Sequence, residues 1–470
     1  MMKCKRKHPL YFILLTILFV VLAGLMSACN DGEDVVVEGA LMVPNDFTTI
    51  QEAIDAAVDG DEIVVRPGTY NERINFDGKN ITVRSSDPDD AEVVAETIID
   101  AGGVDSVVVF RNEESEAAVL SGFTITGGSG NMEILEFEVE GEMQEVPSLY
   151  GGGIIILNGS SPTITKNIIV DNVAERGGGI LAYESSPVID GNQVINNLST
   201  GGGGGIFIAN SQATVTGNSI NNNSAGRSGG GIAVSGEGEE PSLFDGNTIS
   251  DNNGENGGAI GILESSPIIT NNMVFNNTAN STGGGFFLVL SSPQIRGNDI
   301  SDNRAGPSGG GIALLFESSP EIEDNLIIGN EADAGGGVII QVNSSPLIEA
   351  NTISDNRARH GGGLLISEGS EPSIIDNMIT ENETEGNGAG LLIQESSPTV
   401  EGNIFRNNEA RRDGGGIYAQ LGSVVVLNNN SFENNRASTG GAVHTSGGAS
   451  LQVTEDNTYE GNVPDDIYEE

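Results

Sequence analysis

From Gly151 onward the chain repeats with a period that leaves few folds open. The apolar residue after each Gly cluster falls at Ile154, Ile180, Ile206, Ile232, Ile260, Phe286, Ile312, Val338, Leu364, Leu391, Ile417 and Val443. The step is 26 nine times, 28 once and 27 once. Both longer steps carry extra turn residues, Gly236 to Glu240 and Glu368 to Glu371, as insertions in surface loops do. A second marker, Asn-x-apolar-x-x-Asn, recurs in every unit, for example Asn167/Ile169/Asn172 and Asn298/Ile300/Asn303. Apolar residues between the markers alternate with a period of two, and Gly triplets and prolines would break each helical turn, so helices are excluded from the repeat. The pattern predicts an all-β solenoid of stacked coils, each about 26 residues long with three short strands. A leucine-rich horseshoe fits poorly, because its Leu-rich strand signature is missing.

Stacking in register places Asn167, Asn192, Asn218, Asn247, Asn272, Asn298, Asn325, Asn351, Asn377, Asn403, Asn430 and Asn457 over one another. Their amides both donate and accept, so the expectation is a structural Asn ladder that replaces disulfides. The only cysteines are Cys4 and Cys29. Gly, at 67 of 470 residues, paces the corners. Acidic residues outnumber basic ones by 67 to 20, a net charge of −47, which excludes nucleic acid as a partner.

Residues 1–29 read as an export signal: Lys3, Lys5, Arg6 and Lys7 precede an apolar run from Leu10 to Leu25. The ending Leu25-Met26-Ser27-Ala28-Cys29 resembles a lipobox, which implies lipidation of Cys29 and a membrane-anchored protein at the cell envelope or outer surface. A plain cleaved signal and an uncleaved anchor are the alternatives. Residues 30–42 then form an acidic tether, 43–130 a cap helix and irregular coils, 131–150 an acidic insertion, 151–462 twelve regular coils and 463–470 an acidic tail. Thr49 and Glu52 form a capping box for a helix whose Ile50, Ala53, Ile54 and Ala57 close the open end of the stack. The insertion alternates charge and apolarity like one arm of a hairpin and is expected to project, with a disordered loop as the alternative.

Asp46-Phe47-Thr48-Thr49-Ile50-Gln51-Glu52-Ala53-Ile54, followed by Arg66-Pro67-Gly68-Thr69-Tyr70 and Lys79-Asn80-Ile81-Thr82, resembles the opening of pectin lyase-like right-handed parallel β-helix proteins. Units such as Gly257-Gly258-Ala259-Ile260 and Phe432-Glu433-Asn434-Asn435 are similar to polymorphic outer-membrane protein repeats. The resemblance spans about Val43 to Asn462. It implies a right-handed parallel β-helix, and for function only that such repeats serve many roles.

Family enzymes would bring machinery that this chain does not display. It has no Trp, and the local motifs of pectin methylesterases and polygalacturonases are missing. Lyase chemistry needs a basic residue, so Arg357, Arg359 and His360 are the candidate catalytic cluster. The period offers a structural alternative: Arg304, Glu331, Arg357, Glu383, Glu409 and Arg436 occupy one position on successive coils, as Asp333, Arg359 and Glu385 occupy another, and these predict cross-coil ion pairs. Glu323 and Glu349, on neighbouring coils, are the candidate calcium ligands, with a solvated acidic face as the alternative and no cofactor as the main expectation. His360 and His444 are too far apart to share zinc and are expected at the surface.

One outward face is unusual. The second residue after each Gly cluster is Ile155, Leu181, Phe207, Ala233, Gly261, Phe287, Ala313, Ile339, Leu365, Leu392, Tyr418 and His444. Ile155, Leu181, Phe207, Phe287, Ile339, Leu365, Leu392 and Tyr418 are expected to form a binding stripe for a glycan or a cell-surface partner, with the Asn131 to Tyr150 insertion folding over it, or long turns covering it, as the alternatives. The functional expectation is a carbohydrate-binding or adhesion rod. A polysaccharide-degrading enzyme and a passive surface spacer are the alternatives.

Overall fold

The computed structural model describes residues 39–139, 142–453 and 456–470. The expected export signal with Cys29, and residues 30–38 of the tether, lie outside the described residues. Period-two alternation sends every second strand residue into one interior. Ile154, Ile156, Ile164 and Ile169 of one coil therefore stack beneath Ile180, Ala182, Ile189 and Val194 of the next, all fully buried. Among the described residues, three long sheets of sixteen, fifteen and fifteen strands run along the stack. The pairings between coils are parallel throughout the regular repeat.

The first sheet follows the Ser-Ser-Pro corner (Thr163–Thr165, Val188–Asp190), the second lies between the paired asparagines (Ile168–Val170, Gln193–Ile195), and the third follows the Gly cluster (Ile154–Ile156, Ile180–Tyr183). A three-strand coil omits a fourth, ten-stranded ladder after the second Asn, from Val173–Ala174 to Glu409–Ala410. Its strands are short and polar, so alternation does not reveal them.

Corners hold the register. Asn298 donates its backbone N–H to Asn325 Oδ1 at 2.9 Å and its side-chain amide to the same oxygen at 3.0 Å. The same amide reaches Ile269 O at 3.0 Å, one coil back. This arrangement recurs without a break from Asn167 to Asn457. A parallel ladder runs from Asn172 to Asn462. In the low-dielectric interior each fully bonded amide rigidifies the stack, whereas a missing one would orphan its neighbours. The first serine of Ser-Ser-Pro builds a further ladder: Ser291 N donates to Ser318 Oγ and Ser318 N to Ser344 Oγ, each at 3.2 Å. At the glycine corner, Gly177 has φ +65°, and a Cβ on Gly178 would lie 2.5 Å from Gly204 O. Only glycine permits that approach.

Helix α1 (Ile50–Ala56) closes the N-terminal end, with Ile50, Ala53 and Ile54 buried against Val43, Ile63 and Ile74. Thr49 caps it by accepting from Glu52 N, and Glu52 bonds back to Thr48, one residue earlier than in the expected box. Glu72 adds a second acceptor for Ile50 N and Gln51 N. A second helix, α2 (Ala91–Glu96), was not expected from the sequence; Asp90 caps it. At the other end, residues read as an acidic tail supply the strand Ile467–Glu469, which adds the final rung of the third sheet beside Val443–Thr445. None of the helices among the described residues is long and apolar enough to cross a membrane.

Candidate functional site

The outer face of the third sheet carries the predicted stripe, and the structure corrects its exposure. Ile155, Leu181, Ile339, Leu365, Leu392 and Tyr418 are no more than 6% exposed, and Phe207 is 5% exposed. Phe287 is half-buried. Adjacent rungs stack these side chains on one another, and covering segments finish the shielding.

Over the first coils the cover is the insertion. Asn131–Val139 and Glu142–Tyr150 pair as an antiparallel hairpin, from Asn131 opposite Tyr150 to Val139 opposite Glu142. The base of this hairpin lies on the stripe, which corrects the expectation that it projects: Leu135 and Tyr150 pack with Ile155, Leu181 and Phe207 in a second apolar cluster. Tyr183 fastens it, donating to Glu136 O at 2.7 Å and accepting from Glu136 N at 3.2 Å. Burial above all pushes the Tyr183 pKa up to about 12, so the phenol keeps the proton it donates. Arg111 pairs with Glu133 on the same arm. At the root, the Glu175 carboxylate accepts from the Ser148 hydroxyl and from Leu149 N at 2.9 Å, and these bonds hold its pKa below the usual carboxylate value.

Further along, the stripe lies at the bottom of an open groove of about 480 Å³. Ile339, Leu365 and Leu392 form its floor within a third apolar cluster that also holds Ala313 and Tyr418. One wall is the end of the fourth ladder before the Gly cluster, at Ala334 and His360; the other carries Gln341, Ser367, Glu368, Gln394 and Glu395. Gln341 Nε2 donates to Ser367 Oγ at 3.1 Å, linking wall residues of adjacent coils. His444, expected at the surface, is 4% exposed. It sits between Tyr418 and Tyr468, each 4.9 Å away between ring centroids, and its Nδ1 is 2.8 Å from Thr439 Oγ1. The burial follows from the last strand, which lays Tyr468 over it.

Arg357, Arg359 and His360 share one strand but not one site. Alternation turns Arg357 and Arg359 onto the fourth ladder, where they line a different groove with Arg304, Glu331 and Asp333, while His360 faces the third-sheet groove. Arg304 lies 3.5 Å from Glu331 and Arg359 3.9 Å from Asp333, so part of the expected ion-pair lattice is present, and Arg411, 3.4 Å from Glu385, extends it by a coil. Glu323 and Glu349 are register partners, and Arg296 approaches Glu323 at 3.3 Å. Among the described residues no group of three or more His, Cys, Asp or Glu side chains converges as a metal site.

Two features escaped sequence reasoning. The second sheet's outer face exposes Met273, Leu326 and Met378, one on every second coil. Arg176 and Arg227 converge beside Phe207 in another groove of the third-sheet face. Only their shared place just before Gly clusters two coils apart hints at it.

The family model described as a right-handed β-helix region matches residues 74–243, 230–389 and 332–462. Among solved structures, the chain is similar to tailspike protein 3 of bacteriophage CBA120, with 12% sequence identity over 94% of this chain and 64% of that one, at a TM-score of 0.31. It thus spans somewhat under two thirds of that protein. The tailspike receptor binding domain of siphovirus 9NA is 13% identical over 91% of this chain and 77% of that one, at a TM-score of 0.22. No curated protein matches the sequence.

Proposed function

Since the chain belongs to the right-handed β-helix family, we propose that it serves as a carbohydrate-binding rod, exported and held at the cell surface by lipid on Cys29. The observation that carries the binding assignment is the third-sheet groove: an apolar floor of Ile339, Leu365 and Leu392 between walls of amide, carboxylate and hydroxyl side chains. A sugar ring presents apolar C–H faces and a rim of hydroxyls, and this groove matches both. Its size falls within the range of about 300–1,000 Å³ typical of small-ligand sites. The net charge of −47 turns away polyanions, so neutral glycans are the favoured class.

The wall amides are the part to test, because Gln341 and Gln394 are half-buried at the groove rather than in the interior of the coils. The double variant Gln341→Ala/Gln394→Ala should keep its melting temperature and lose about tenfold in affinity for neutral oligosaccharides on a glycan array, as two lost hydrogen bonds imply. Unchanged binding by the double variant would remove the groove from consideration. Lipidation has its own check: metabolic labelling with a fatty-acid probe should mark the wild type and not Cys29→Ser.

A further inference from the structure

The fourth ladder carries two outward rows of alternating sign. Along the first row, Arg304, Glu331, Arg357 and Glu383 occupy successive rungs in direct register. Asp333 and Arg359 form the second row, two residues further along the strands that hold Glu331 and Arg357. All six side chains belong to exposed residues. Arg304 pairs with Glu331 at 3.5 Å and Arg359 with Asp333 at 3.9 Å, while Arg357 and Glu383 form no ion pair among the described residues. Ala332 and Ala358, between the rows, are small and buried, which leaves a groove of about 430 Å³ with room for a partner's long side chains. On a chain of net charge −47 this patch stands apart, because three of the six residues are basic and three acidic.

A row that alternates in sign at about 4.8 Å per rung is matched by a row of the same spacing and opposite phase. The same ladder supplies that row when it is turned end for end. A two-fold axis across the rod, between the rungs of Glu331 and Arg357, sets Glu331 opposite Arg357 of the second copy. It also sets Arg304 opposite Glu383 and Asp333 opposite Arg359, and symmetry makes each contact occur twice. A two-fold axis along the rod does the reverse: Glu331 then faces Asp333 and Arg357 faces Arg359, like charge against like. We propose that the fourth ladder is the interface of a reversible dimer of this chain, with the two rods side by side and antiparallel. The pairs within each copy remain and join those across the axis in one network, which isolated exposed pairs cannot match. Away from the patch the acidic surfaces repel, but salt screens that repulsion beyond about 8 Å at physiological ionic strength. The inference is independent of the carbohydrate assignment, whose groove lies over the third sheet.

Sedimentation velocity of the folded chain over a range of concentrations, at physiological salt, should show a monomer–dimer equilibrium. Arg357→Glu and Glu331→Arg should each abolish the dimer, because like charges then face each other across the axis. An equimolar mixture of the two variants should regain it, since every contact between unlike chains is again of opposite sign. The mixture also controls for folding, as misfolded chains would not restore one another. Lys166→Glu, at the corner between the first two sheets, changes the net charge as much as Arg357→Glu does and should leave the dimer intact. A wild type that stays monomeric overturns the proposal, as does a mixture that stays monomeric. Equal loss in Lys166→Glu overturns it by assigning the effect to net charge, and an unchanged dimer in Arg357→Glu overturns it by placing the interface elsewhere. Stronger association of Arg357→Glu would assign parallel rods and overturn the antiparallel axis.

Discussion

The third-sheet face is one continuous ladder, yet its two ends are finished differently. Over Ile155, Leu181 and Phe207 a hairpin adds Leu135 and Tyr150 and completes a small core. Over Ile339, Leu365 and Leu392 none of the described residues forms a comparable hairpin, and polar walls flank an open groove. The strands, the Gly corners and the Asn ladders are the same in both places. What differs is the segment that crosses the face, so an apolar outward stripe does not by itself mark a binding surface. Its side chains are buried along both parts, under the hairpin at one end and between neighbouring rungs and the groove walls at the other.

The comparison can be broken most severely through what the two regions share. Asn192→Leu beneath the hairpin and Asn377→Leu beneath the groove each strand a backbone N–H and a carbonyl in the interior. Each should cost about 2–6 kcal/mol, and to a similar extent, measured by denaturant unfolding. A large inequality would show that the cover, not the ladder, sets local stability.

A medium effect separates the regions. Leu135→Ala should cost about 2–3 kcal/mol and raise amide exchange in the coils holding Ile155 and Leu181, while the coils holding Leu365 and Leu392 stay protected. Uniform exchange across both would show that the hairpin contributes nothing local.

The smallest effect is set by pH at the hairpin root. Bonds from Ser148 and Leu149 depress the Glu175 pKa, so this contribution is present above the unfolded carboxylate value and is lost as pH falls through the lower folded value. Limited proteolysis should therefore find the hairpin more readily cut below about pH 4, and no such acid dependence in Glu175→Gln. Acid-sensitive cutting that persists in Glu175→Gln would assign the effect to another carboxylate.

The solenoid was legible because its cause is local and periodic. A glycine that must admit a carbonyl, and an Asn that must meet another Asn, recur at fixed spacing and leave no second interpretation. The Ser ladder hid behind proline: Ser-Ser-Pro explains a corner so well that the buried role of its first serine draws no attention. The fate of the stripe was illegible for a different reason. Whether Leu135 lies on Leu181 depends on how a nonperiodic hairpin folds back, and no spacing records that. His444 repeats the lesson at the other end, since its burial depends on Tyr468 in a stretch whose acidity suggested a solvated tail. Splitting Arg359 from His360 needed only strand alternation, which a search for basic clusters ignores. Pairing Arg176 with Arg227 needed both the register of two coils and a bulge.

The Asn corners carry one more consequence. Every rung offers the coil before it the same acceptor oxygen and gives the same two donors to the next coil. Neighbouring coils therefore cannot tell one unit from another by their corners. Gain or loss of a whole unit would leave each remaining rung fully bonded, so the reach of the rod becomes a tally that duplication can lengthen or shorten in increments of about 4.8 Å. Binding surface and reach are then inherited separately: the first through the few side chains of a groove, the second through simple counting.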